Sequence, residues 1–197
     1  MPAASITYAG LLGMYAVWSS GPGANVDADR AIRLAAKRLD ASPAIVAAVA
    51  EIESHRGKIC GDLPCVLFEP RLYAEETGNT DRQAYQGYLG GPGEHVRIIQ
   101  AARRDAEAAV RSSSWGIFQI LGRNAEPAGH RSLRSFLHGM STARGQAAAF
   151  ASFVRNVAIA GDLRNRRWLE FARTYNGPGK PKQYARRLRQ AYQRLKG

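Results

Sequence analysis

Apolar and polar positions alternate along this chain with a mainly helical period. Behind Asp27, a residue suited to cap a first turn, Ile32, Leu34, Ala35 and Leu39 recur at helical spacing and predict a helix running to about Leu39. Ser42 followed by Pro43 opens a second helix, in which Ile45, Val46, Val49 and Ile52 repeat and which Gly57 is placed to end. Residues 58–69 read as a turn and a short hairpin, with Gly61 and Asp62 in the turn and Val66, Leu67 and Phe68 as an apolar strand. Residues 78–93, rich in Gly, Asn and Tyr, read as a loop. A long helix over about 94–110 is expected next, then helices over about 142–160, 165–174 and 181–195. The last has Tyr184, Leu188, Tyr192 and Leu195 on one side, with Arg186, Arg187, Arg189, Arg194 and Lys196 over much of the rest. The fold class that follows is mostly α with one small β-hairpin, an α+β arrangement.

The pattern changes near the start. Residues 1–25 carry no charged side chain, and residues 6–18 are apolar. That run is shorter than the roughly 20 residues a spanning helix needs, and it lacks the basic start of a secretory signal. It reads as an apolar arm packed on the body, joined by a Gly/Pro/Ser/Asn linker ending at Asn25. The expected organisation is therefore an arm and linker over 1–25 and a single domain over 26–197.

Charge narrows the partners. The net charge of +12 and a sequence pI of about 10.3 attract polyanions. No helix-turn-helix, zinc-finger or RNP signature accompanies that charge, so an anionic cell envelope fits better than nucleic acid. Cys60 and Cys65 are the two cysteines, either bridged in an oxidising compartment or free in a reducing one. No Cys/His set has metal-ligand spacing, and neither metal nor other cofactor is expected. His55, His95, His130 and His138 are scattered and read as ordinary surface or capping residues.

Glu53 stands out for chemistry. It continues the apolar side marked by Ile45, Val46 and Val49, and it falls in the last turn of its helix. Desolvation and the negative end of the helix dipole both raise a carboxyl pKa there. A carboxylic acid that must protonate a leaving oxygen near neutral pH needs such surroundings.

The stretch I-E-S-H-R-G around Glu53 is similar to the E-S-H-x-G segment of goose-type lysozymes. Four stretches in order resemble a family of phage-type N-acetylmuramidases: A-V-A-E-I-E-S (48–54), V-L-F-E-P-R-L-Y (66–73), S-S-W-G-I-F-Q-I-L-G-R-N (113–124) and F-A-R-T-Y-N-G-P (171–178). The resemblance spans roughly residues 27–195. It implies a lysozyme-like fold and hydrolysis of the β-1,4 bond between N-acetylmuramic acid and N-acetylglucosamine, in a setting of phage lysis. It also implies Glu53 as catalytic acid and Asp62 as the second carboxylate, acting as base or stabiliser. Asp62 stands in G-D-L-P where the family has D-G-x-P. A Cys60–Cys65 bridge would hold the turn that bears it.

Substrate contacts are expected from Glu69, Ser114, Trp115, Gly116, Gln119, Tyr175 and Asn176. Among these, Trp115 would offer a flat face to a sugar and Gly116 a close backbone approach. The expected partner is peptidoglycan, with envelope polyanions on the basic last helix. The chain is expected to be monomeric, to bind no nucleic acid, and to act at the wall after synthesis in the host cytoplasm, by an export route left open. Two rival expectations remain: a lytic transglycosylase releasing 1,6-anhydro products, and a non-catalytic cationic protein that binds the envelope or nucleic acid.

Overall fold

The structure, a computed structural model, describes residues 5–20, 26–58, 60–78 and 87–197. Residues 21–25 of the expected linker and 79–86 of the expected loop lie outside the described residues. In chain order the helices are α1 (Tyr8–Ser20), α2 (Ala28–Leu39), α3 (Pro43–Ser54), α4 (Pro70–Thr77), α5 (Gly93–Ala102), α6 (Ala106–Arg111), α7 (Leu133–Met140), α8 (Ala143–Asn156), α9 (Ala160–Arg164), α10 (Trp168–Tyr175) and α11 (Pro181–Leu195). The strands are β1 (Val66–Phe68), β2 (Ser113–Trp115) and β3 (Ile120–Leu121). This is the mostly α arrangement with one small antiparallel sheet that the periodicity leads one to expect.

The first two predicted helices form where the sequence places them, although Ser42 makes no side-chain cap bond and α3 relies on Pro43 at its first position. The Asp27 carboxylate accepts from Arg30 N–H at 2.8 Å and starts α2. Helix α3 begins at Pro43 and is buried continuously from Ile45 to Ala50, because α2 packs on one side of it and α11 on another. A helix enclosed in this way has no wet face over those turns.

Three local expectations need correction. Strand β1 exists, but its partner does not lie across the 58–69 turn. It pairs antiparallel with β2, Val66 opposite Trp115 and Phe68 opposite Ser113, and the true hairpin is β2–β3. The register is set by burial of Val66, Phe68 and Trp115 rather than by a local turn. The helix expected over 94–110 is broken into α5 and α6, because Asp105 accepts from Ala108 N–H at 2.8 Å and starts a new helix. The helix expected over 142–160 ends at Asn156, with Ala158 in a left-handed conformation (φ 61°) before α9. Helices α4 and α7 were not anticipated.

The apolar N-terminal segment forms α1. Leu11, Met14, Tyr15 and Trp18 are buried in the common core, and Trp18 lies against Trp115 with ring centroids 6.3 Å apart. The Tyr15 hydroxyl is 2.7 Å from His95 Nδ1. His95 is therefore not a surface histidine: burial pushes its pKa down to about 4, and its ring also bonds the Pro64 backbone. No helix among the described residues is long and apolar enough to cross a membrane.

Candidate active site

Glu53 sits one residue from the end of α3 and lines the floor of a cleft of about 600 Å³. Ser54 pins that helix end. Its hydroxyl donates to Ile117 O at 2.8 Å and accepts from Gly57 N–H at 3.0 Å. From α11, the Tyr184 hydroxyl donates to Glu53 Oε1, and Arg187 donates to the neighbouring Ile52 carbonyl at 3.0 Å. Burial raises the Glu53 pKa to about 7, while the Tyr184 hydrogen bond and the Arg187 charge oppose the rise without cancelling it. At neutral pH a large share of Glu53 is thus protonated, as a proton donor requires.

The sheet forms the opposite wall. Leu67, Ser114 and Leu121 are cross-strand neighbours and all three line the cleft. The next residue along β2, Trp115, points the other way because side chains alternate on a strand. Trp115 is completely buried and its indole N–H donates to Val110 O at 3.1 Å, so it is a core residue and offers no face to a sugar.

The turn between β2 and β3 is held from three directions. Besides Ser54, Gln146 on α8 accepts from Ile117 N–H at 2.8 Å and donates to Met140 O at 2.6 Å, and the Tyr175 hydroxyl donates to Phe118 O at 2.6 Å. Gly116 is buried at φ 74°, and a Cβ there would fall 2.8 Å from Gln146 Oε1. Its glycine is explained by the turn and by Gln146, not by approach of a ligand. Gln119, left-handed at φ 49°, donates to Gly116 O at 2.9 Å and lines the cleft.

Of the residues expected from sequence, the cleft brings together Glu53, Glu69, Ser114, Gln119, Tyr175 and Asn176. Asp62 is not among them. It is exposed and lines a separate surface depression with Asp27, Arg56 and Lys58. The cause is the turn itself: Cys60 and Cys65 are joined by a disulfide, their alpha carbons 4.8 Å apart, and residues 61–62 bulge outward between them. The bridge therefore does not aim Asp62 at Glu53. Its two cysteines instead line a small pocket of about 60 Å³ that borders Glu53, with Val66, Leu67, Tyr88 and Gln119.

Glu69 is the half-buried carboxylate that shares the large cleft with Glu53. Burial raises its pKa, and Arg97 and Arg71 hold it back. Sequence reasoning missed Tyr184 and Gln146 as site residues. Tyr184 was visible as a buried-face position of the last helix, but nothing local tied it to Glu53. Arg71, Glu75 and Arg123 also line the cleft as a loose ion-pair group, Arg71 to Glu75 at 3.5 Å and Arg123 to Glu75 at 3.8 Å.

A family model for N-acetylmuramidases matches residues 42–196. Among solved structures, the crystal structure of the Burkholderia AP3 phage endolysin is similar, with a TM-score of 0.70 and 28% sequence identity, covering 85% of this chain and 70% of that one. No curated protein matches the chain.

Proposed function

The chain belongs to the N-acetylmuramidase family, and from that premise we propose that Glu53 is its general acid, protonating the glycosidic oxygen as the bond breaks. It is a peptidoglycan hydrolase and acts on the cell wall. The observation that carries the proposal is a carboxyl group buried at the end of α3, lining the cleft and bonded to Tyr184, whose burial raises its pKa to about 7. Tyr184 occupies Oε1, which leaves the second oxygen to deliver the proton. General acid catalysis of this kind contributes about 10²–10⁴-fold.

Glu69 takes the part that the resemblance gives to Asp62, because it shares the cleft with Glu53 and Asp62 does not. As a carboxylate it activates the attacking water or stabilises the oxocarbenium-like state. Ser114, Gln119 and Asn176 supply polar contacts to the sugar amides and hydroxyls, and Tyr175 fixes the cleft wall. Residues 26–197 form the hydrolase domain in this reading, and 1–25 an arm whose helix rests on it. The likeness to a phage endolysin supports phage lysis as the setting. Exposed Lys182, Arg186, Arg187, Arg189, Arg194 and Lys196 on and beside α11, a helix without an acidic residue, supply a surface for anionic envelope polymers.

Clearing of a purified peptidoglycan suspension tests the assignment. Folded Glu53→Gln loses at least about a hundredfold in rate. Glu69→Gln also falls below the parent, and Asp62→Asn matches it. Substantial clearing by Glu53→Gln would sink the assignment.

A further inference from the structure

We propose that Tyr88 is the aromatic platform on which a sugar ring of the glycan strand rests beside Glu53; this builds on the muramidase reading of the cleft. Trp115 lies in the core and offers no face to a ligand. Tyr88 is 68% exposed, the most exposed large apolar side chain among the described residues, and it lines the small pocket with Glu53 and Gln119. Its ring lies across Gly90, where a Cβ would come within 3.4 Å of the ring edge.

The backbone beside it is anchored. Glu94, 1% exposed, accepts through Oε1 from Leu89 N–H at 2.9 Å and Gly90 N–H at 3.2 Å. Through Oε2 it accepts from Phe68 N–H at 3.2 Å and from Arg97 at 2.6 Å. One buried carboxylate thus ties the residues after Tyr88 to the end of β1, which leads into the cleft at Glu69. An aromatic on anchored backbone loses little freedom when a ligand arrives. The axial C–H groups of a pyranose are apolar and slightly positive, which suits the negative face of an aromatic ring. The ligand class is an uncharged N-acetylhexosamine ring, so chitin oligosaccharides and peptide-free glycan strands both qualify.

The native tryptophans Trp18, Trp115 and Trp168 are all buried. Tyr88→Trp therefore places an exposed indole at the small pocket that borders Glu53. In a Glu53→Gln background, titration with peptide-free glycan strands is expected to give a saturable change in fluorescence. Calorimetry in the same background is expected to show Kd about tenfold weaker for Tyr88→Ala, the effect of an aromatic contact of about 1.4 kcal/mol, and restored by Tyr88→Phe. On the active chain the Tyr88→Ala loss falls mainly in KM for peptidoglycan. Parental KM and Kd in Tyr88→Ala overturn the proposal, as does an unresponsive indole while calorimetry reports bound glycan. Because binding is read without turnover, a failure of the Glu53 assignment would show separately, as retained cleavage by Glu53→Gln.

Discussion

Burial at the end of α3 gives Glu53 a pKa of about 7, and the pH dependence of the enzyme follows from that residue. The acid form is the active one, so kcat/KM should fall on an alkaline limb near pH 7. Tyr184 stabilises the ionised form; Tyr184→Phe should therefore move the limb to higher pH, and a limb that stays in place or moves down would remove Tyr184 from control of Glu53. Stability carries the same signature with a definite sign. A carboxyl whose pKa is raised by folding favours the native state below the ordinary carboxylate range, and that contribution is lost as pH rises through about 7. Neutral Glu53→Gln should melt above wild type at pH 8, with the difference shrinking toward pH 4, as measured by calorimetry. Equal melting temperatures across that range would show that Glu53 is not strained by ionisation.

At the scale of elements, the chemistry depends on a turn whose tethers come from distant parts of the chain. Residues 116–119 are tethered to α3 by Ser54, to α8 by Gln146 and to α10 by Tyr175. Gln146→Leu leaves the buried Ile117 N–H without its acceptor, which costs about 1–3 kcal/mol. It should lower the denaturation midpoint by that amount and reduce kcat through Gln119; unchanged stability would mean the turn is held without Gln146. The same elements explain what was legible. Asp27, Ser42–Pro43 and the repeat through Ile52 fix α2 and α3, because caps and helical spacing are local. The place of Glu53 on an apolar side, near a helix end, was equally readable. The pairing of Val66–Phe68 with Ser113–Trp115 was not, since strands of three residues carry too little pattern to name a distant partner. Yet the alternation within β2 held information that went unread: if Ser114 faces the cleft, Trp115 cannot. Asp62 was misplaced for a related reason, as spacing after Glu53 says nothing about which way a bridged turn points.

Over the whole molecule, positive charge is spread on outer surfaces rather than gathered in the cleft, where Arg71 and Arg123 stand among Glu53, Glu69 and Glu75. The +12 charge should act on approach to the envelope more than on the bond-breaking step. Exposed charges are screened over about 8 Å at physiological ionic strength. Added salt should therefore depress activity on whole envelopes more steeply than on short uncharged glycans, and parallel salt curves on the two substrates would argue against a role for α11.

The central claim is that water cleaves the glycan with Glu53 as proton donor. Mass analysis of purified peptidoglycan digested in oxygen-18 water tests it most directly. The account predicts N-acetylmuramic acid reducing ends that each carry one heavy oxygen, formed by the parent and absent from Glu53→Gln digests. Products ending in unlabelled 1,6-anhydro-muramic acid, or labelled ends formed equally well by Glu53→Gln, would contradict it.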